Sequence, residues 1–296
     1  MMISTRIAAA FTGLALCLAV GSARAAECAP ERLATVKTIS LPDGRITVPV
    51  MVEGHPLSFL LDTGGVSTTV KWDTAKQMAL PVKQAARPLA GVGGSMLNFT
   101  LAGQNFSLGE LRVANKPIYV ETRPLPDADG TLGPDILNEF DVEIDLAQGS
   151  LSLFSSGYCA PAEWTPTGSA TLAVDIAPGG HVRFPVKVDG ATVIGVLDTG
   201  STVTILGMQT AALLGIYPSS PGLELLRDTG RYRIYAYPFH TLEIGGVAVK
   251  NPRIAIATDG FIPSSDLVLG MDVLRQMRLA IAYGSRRLYV TGPQGN

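Results

Sequence analysis

Phe59-Leu60-Leu61-Asp62-Thr63-Gly64-Gly65 is an apolar run that ends on a carboxylate and passes at once into very small residues. Gly195-Val196-Leu197-Asp198-Thr199-Gly200-Ser201 repeats it, 198 − 62 = 136 residues later. Short apolar or β-branched runs bounded by turn formers read as interior strands, so each copy predicts a buried strand that delivers an aspartate to a loop. The chain thus carries two matched carboxylates, one in each half, and whether they meet decides what it can do.

The offset of 136 extends well beyond the two triplets, and self-similarity at a fixed spacing constrains a fold more than a tripeptide does. Ile46-Thr47-Val48-Pro49-Val50-Met51-Val52-Glu53-Gly54 aligns with Val182-Arg183-Phe184-Pro185-Val186-Lys187-Val188-Asp189-Gly190, and each reads as a strand followed by a tight turn. After the aspartates, Thr68-Thr69-Val70 and Thr204-Ile205-Leu206 read as strands leading away, and 72–80 and 208–216 as short helices. Gly91-Val92-Gly93-Gly94 and Asp228-Thr229-Gly230 fall between strand-like flanks as hairpin tips, which makes them candidate flaps, with Tyr232 beside the second. Tyr232, Tyr235 and Tyr237 can line substrate pockets or serve as ordinary hairpin residues with good strand propensity. Each half closes alike, on Leu132-Gly133-Pro134-Asp135-Ile136-Leu137 or Leu269-Gly270-Met271-Asp272-Val273-Leu274, and then on a hairpin, 141–154 or 278–290. A polar, Pro-containing connector over 157–169 marks the boundary between lobes at 26–156 and 157–296. The expected architecture is all-β, two similar lobes with few short helices.

Composition agrees with packed cores, since 47% of the 296 residues are hydrophobic and 16% charged. Residues 1–25 stand apart: Arg6 precedes a mostly apolar run over 7–20, and Ala23-Arg24-Ala25 is the small-x-small pattern a signal peptidase accepts, so cleavage is expected after Ala25. The apolar run is shorter than the roughly 20 residues a spanning helix needs, which favours export over stable membrane insertion. Without Arg6 and Arg24 the balance is 21 − 25 = −4, with no basic patch for nucleic acid. Cys28 and Cys159 both survive cleavage and each opens a Cys-Ala-Pro phrase at the start of a lobe. In an exported protein that pair is read as a disulfide, worth about 4–5 kcal/mol by chain entropy; two buried free thiols are the alternative. The three histidines, His55, His181 and His240, are scattered and expected to be solvated.

A lone Asp-Thr-Gly is weak, because a chance copy is about a one-in-ten event in a chain this long. Asp228-Thr229-Gly230 is such a copy, since it sits between Arg227 and Arg231 and out of register with the repeat, and it reads as turn chemistry. The two copies in register are different. Two carboxylates within hydrogen-bond reach cannot both ionise cheaply, so over some pH range the pair holds one proton. The ionised member can then deprotonate a bound water while the protonated member stabilises an oxyanion. Thr63 and Thr199 are small enough to bond across the contact of the two loops. Gly64 and Gly200 allow close approach and present amides, and Ser201 is expected to add a hydroxyl donor to Asp198 that Gly65 cannot supply to Asp62. Two merely turn-forming aspartates are the alternative. A metal pair is a third, poor in further ligands nearby, and no cofactor is called for.

With these residues in place the chain resembles the retropepsin-like aspartic proteases, especially exported bacterial ones with two Asp-Thr-Gly units in one chain. The resemblance covers nearly the whole chain after residue 25. It implies two retropepsin-like or pepsin-like β lobes with the active cleft between them, Asp62 and Asp198 as the catalytic pair, and Gly133 and Gly270 threading behind the aspartate loops. Gly91-Val92-Gly93-Gly94 is similar to the Gly-rich flap tip of retroviral members, and Thr68 and Thr204 match the family's threonine. Where those members carry acidic residues four and five places after the aspartate, this chain has Val66 and Ser67, then Thr202 and Val203, so a peptide must be gripped differently. The implied activity is that of an aspartic endopeptidase on peptide or protein substrates, expected as a monomer because one chain carries both copies. A bilobal peptide-binding or inhibitory protein without turnover is the rival.

Overall fold

The computed structural model describes residues 31–91, 95–103, 105–125, 127–156, 169–258 and 266–292. The leader-like segment, Cys28, Cys159, the connector up to 168 and the flap-tip residues Val92, Gly93 and Gly94 lie outside them.

Both halves fold as expected into β lobes, and their sheets have the same strand order. From edge to edge, the first runs Val82–Ala90, Met96–Leu101, Tyr119–Glu121, Thr69–Lys71, Gly130–Leu132, His55–Leu61, Ile46–Val52, Phe106–Leu108 and Leu111–Val113. The second runs Glu224–Asp228, Arg233–Pro238, Arg253–Ala257, Ile205–Gly207, Leu267–Leu269, Ala191–Leu197, Val182–Val188, Thr241–Ile244 and Val247–Lys250. Four short helices complete the elements: α1 (Trp72–Gln77), α2 (Pro134–Leu137), α3 (Met208–Leu213) and α4 (Met271–Leu274). α1 stops earlier than the apolar pattern suggests, because Ala79 turns into the left-handed region (φ 51°) and closes the helix end.

Alternation along Ile46–Val52 and Val182–Val188 buries Val48, Val50, Val52, Phe184, Val186 and Val188, all 3% exposed or less. The strands that carry the aspartates are more apolar because they lie inside the sheet, with Phe59, Leu61 and Leu197 fully buried. One continuous apolar core runs through both lobes.

The closing hairpins behave differently from the lobe sheets. Instead of finishing their own lobes, they pair with each other into a third, six-stranded sheet in the order Arg32–Lys37, Ser150–Ser155, Phe140–Asp145, Arg278–Ala282, Arg287–Thr291, Ala170–Ala173. Its central register sets Val142 opposite Ile281 and Ile144 opposite Leu279. Since 279 − 142 = 137 and 281 − 144 = 137, equivalent residues exchange partners, which is the mark of a local two-fold axis. Arg278 closes this seam by reaching the carboxylates of Glu143 and, at 3.3 Å, Asp145, both nearly buried.

Candidate active site

Each aspartate is placed by a parallel pairing. Leu61 lies opposite Leu132 and Leu197 opposite Leu269, and the Asp62 and Asp198 amides donate to the Leu132 and Leu269 carbonyls, each at 3.0 Å. The chain then passes behind the loop at Gly133 or Gly270, whose amides donate to Thr68 Oγ1 (3.0 Å) and Thr204 Oγ1 (3.1 Å). No side chain fits there: a Cβ on Gly133 would lie 2.7 Å from the Ser67 carbonyl oxygen, and one on Gly270 would strike that of Val203.

The two loops meet through their threonines, both fully buried. Thr63 Oγ1 donates to the Leu197 carbonyl (2.9 Å) and accepts the Thr199 amide (3.1 Å). Thr199 Oγ1 donates to the Leu61 carbonyl (2.7 Å) and accepts the Thr63 amide (3.1 Å). Every donor and acceptor in this core is used, so the separation of the loops is fixed by four bonds across the lobe boundary. Gly64 packs against the Asp198 carboxylate and Gly200 against that of Asp62, so a side chain on either would collide with the opposite aspartate.

The Asp62 and Asp198 side chains hydrogen-bond to one another. Protein surrounds both carboxylates, yet each stays partly open to solvent, as expected at the floor of a cleft. Burial and the Asp198 charge push Asp62 up to about 7, against the pull of the Gly64 and Gly65 amides. Burial raises Asp198 too, but the Gly200 and Ser201 amides (2.9 and 3.1 Å to Oδ1), the bond from Asp62 and the nearby His181 all favour its ionised form. Both members are raised, so the pair binds a proton more readily than two free aspartates would, and the surroundings favour the ionised form more at Asp198 than at Asp62.

Two expectations about this region need correction. Ser201 Oγ donates to the Val203 carbonyl (2.8 Å), not to Asp198, because the Ser201 amide already occupies the carboxylate. His181 is not a solvated residue: it is half-buried, and its Nε2 lies 2.8 Å from the Gly65 carbonyl of the other lobe. His240 is exposed and faces Asp189, and His55 begins the strand that leads to Asp62.

Asp135 and Asp272, in the first turns of α2 and α4, were assigned no role from sequence. Asp135 accepts from Ser67 Oγ (2.8 Å), the Thr68 amide (2.7 Å) and Thr68 Oγ1 (2.8 Å), while Asp272 accepts from Thr204 Oγ1 (2.7 Å). Their recurrence directly behind the two threading glycines was the available signal. It also explains why Ser67 cannot serve a substrate as an acidic residue would: it is buried and turned inward.

Of the flap residues, Gly91 closes its hairpin through an amide bond to the Ser95 carbonyl (2.7 Å). Asp228-Thr229-Gly230 is a turn, as expected: Asp228 accepts the Gly230 amide, Thr229 Oγ1 accepts the Tyr232 amide, and Arg233 pairs with Asp228. Tyr232 is half-exposed at this tip, whereas Tyr235 is buried in the core and Tyr237 packs edge-on against Phe239, so the ordinary hairpin role holds for the last two. Among the described residues no cluster of His, Cys, Asp and Glu could hold a metal, and no helix is long and apolar enough to cross a membrane.

Comparison with known proteins matches the two halves separately. A family described as "gag-polyprotein putative aspartyl protease" matches residues 184–276, and one described as "Aspartyl protease" matches residues 48–136. No curated protein sequence matches significantly. Among solved structures, the aspartic proteinase from Irpex lacteus is similar over 88% of this chain and 97% of its own, with 14% identity and a TM-score of 0.56. Conglutin gamma, a basic 7S globulin from lupine seeds, is similar over 89% and 95%, with 9% identity and a TM-score of 0.51. A proteinase and a seed globulin therefore share the fold, and fold alone does not carry activity. With an aspartyl protease match in each half and two Asp-Thr-Gly loops meeting at the lobe boundary, the chain belongs to the retropepsin-like aspartic protease family.

Proposed function

We propose that the protein is an exported aspartic endopeptidase in which Asp62 and Asp198 activate water to hydrolyse peptide bonds. The observation that carries this is the meeting of the two aspartate loops across the crossed threonines, which sets Asp62 and Asp198 side by side, with Asp198 held by the Gly200 and Ser201 amides and Asp62 raised to about 7 by burial and the Asp198 charge. In that state Asp198 takes a proton from water as the water oxygen attacks the peptide carbonyl carbon, and Asp62 gives its proton to the carbonyl oxygen. A gem-diol forms. On collapse, Asp62 recovers a proton from one hydroxyl and Asp198 passes its own to the leaving nitrogen. The C–N bond breaks, an acid and an amine depart, and the pair again holds one proton on Asp62. This chemistry needs neither metal nor cofactor.

The cleft between the lobes suits an extended peptide or an unfolded protein segment, gripped by the hairpins ending at Gly91 and Gly230 rather than by acidic residues after the aspartates. Secretion or periplasmic residence follows from the pattern of residues 1–25, and the exported product is expected to begin at Ala26 by N-terminal sequencing. A monomer suffices, since both aspartates come from one chain.

The test is cleavage of a peptide library by the protein from acid to neutral pH, with Asp62→Asn and Asp198→Asn alongside. Cleavage by the parent that disappears in both variants supports the dyad. Undiminished cleavage in either variant overturns it, and no cleavage by the parent at any pH favours a bilobal binding protein instead.

A further inference from the structure

The carbonyls that begin the outer turn of the two aspartate loops have different partners. In the C-terminal lobe the Ser201 carbonyl accepts the backbone amide of Met271, the first residue of α4, at 2.8 Å. The repeat places Pro134 at the corresponding first position of α2, and proline has no amide hydrogen to give. The Gly65 carbonyl, equivalent to that of Ser201, therefore loses the donor its counterpart enjoys. It accepts instead from His181 Nε2 at 2.8 Å, across the lobe boundary.

Residues 177–181 form the turn that carries His181 there. The turn is closed by amide bonds from Ala177 to the His181 carbonyl and from Gly180 to the Ala177 carbonyl, both 2.9 Å. It is pressed against α2, since a Cβ on Gly180 would lie 2.8 Å from Asn138 Nδ2 and 2.9 Å from the Pro134 carbonyl oxygen. In the N-terminal lobe the residue equivalent to His181 is Arg45, for 181 − 45 = 136, and Arg45 turns away to pair with Asp43 at 2.6 Å. A His contact thus occurs only where the proline has removed an amide. Because a carbonyl can only accept, Nε2 must carry the hydrogen, which fixes the tautomer of the neutral ring.

We propose that His181 is a positioning residue for Asp62: it supplies from the C-terminal lobe the hydrogen bond that Pro134 cannot supply from within the N-terminal lobe. Gly65 follows Asp62 by three residues, and its amide, one peptide unit before the carbonyl that His181 holds, closes the loop on the Asp62 carbonyl (3.4 Å) and favours the ionised Asp62 carboxylate, so a bond that fixes the Gly65 carbonyl restrains the turn beside the dyad. The role as a positioning residue in catalysis rests on the endopeptidase reading above; the hydrogen bond itself does not.

The test compares His181→Ala, His181→Gln and the double variant His181→Ala/Pro134→Ala in the full chain. His181→Ala is expected to lower kcat about tenfold or more with KM nearly unchanged, since a loosely held catalytic group costs rate rather than ground-state binding. Glutamine, whose Nε2 reaches as far as that of histidine, and the double variant, which restores an amide at position 134, are each expected to recover most of kcat. A His181→Ala protein with parental kcat, or a loss that neither Gln nor the restored amide repairs, overturns the proposal. If the parent cleaves no peptide, the endopeptidase reading fails separately, and the bond is read from amide hydrogen exchange over residues 63–67. Exchange accelerated about tenfold in His181→Ala and restored in the other two variants keeps the inference; unchanged exchange overturns it.

Discussion

The two Asp-Thr-Gly loops are alike on the inside and unlike on the outside. Where they touch, Thr63 and Thr199 make the same pair of bonds in both directions, because each serves as the other's partner. One turn further out, the C-terminal loop hangs from backbone amides of α4, at the Ser201 and Thr202 carbonyls. In the N-terminal loop the Gly65 carbonyl takes its bond from the His181 side chain of the other lobe instead, and Asp135, which holds Thr68 as Asp272 holds Thr204, also takes Ser67 Oγ and the Thr68 amide. A contact at the axis must be satisfied twice by one geometry, whereas supports away from it need only hold their own loop.

The largest effect should fall on the aspartates, and equally. Asp62→Asn and Asp198→Asn should each lower peptide cleavage by about 10⁴-fold, since the mixed protonation state needs both members. A variant that kept a tenth of parental turnover would break the equivalence. In the parent, activity should decline as pH rises through about 7, where Asp62 gives up its proton.

Stability should depend on pH in the direction set by the same groups. Both aspartates are raised, so between about pH 4, where an unfolded chain loses these protons, and about 7 the native state binds more protons. The contribution is fully present below about pH 4 and is lost as pH rises through the folded value, by up to about 4 kcal/mol. Denaturant melts across this range should show the loss, and Asp62→Asn should flatten it. Stability that rose with pH in that window would contradict the desolvated pair.

Smaller effects should separate the outer supports. Asp135→Ala removes the acceptor for three donors and should cost about 3 kcal/mol, against about 2 kcal/mol for Asp272→Ala, which removes the acceptor for Thr204 Oγ1 and the Val273 amide, by urea unfolding. Equal costs would mean that the backbone amides from α4 hold nothing. The smallest effect should be that of Ser201→Ala, within about twofold in kcat, because the hydroxyl faces the exposed Val203 rather than Asp198. A tenfold loss would return that hydroxyl to the dyad.

Much of the molecule was legible because it is written twice. The repeat predicted the strands ending at Asp62 and Asp198, the crossing threonines and the threading glycines, and it removed Asp228 from consideration. The shared six-stranded sheet was not legible, since local alternation defines a hairpin without saying which distant edge it will meet. Asp135 and Asp272 were visible as a repeated polar pair, but their partners lie 67 and 68 residues away and are identified only by the folded chain. His181 gave no signal at all. The residue aligned with it is Arg45, and what it serves is a missing proton on Pro134, an absence that shows only when the two loops are superposed in space.

The seam between Val142 and Ile281 has a consequence for how such a molecule can change. Exchanged partners about a two-fold axis are what two identical subunits would present to each other. In such a pair every substitution is made twice, so a proline in place of an amide would strip both loops at once. In a single chain the same proline strips one, and a histidine placed once can mend it. A single chain therefore leaves each Asp-Thr-Gly loop free to acquire its own outer supports, so long as the threonines at the axis stay matched, and it lets two aspartates alike in sequence have unlike surroundings.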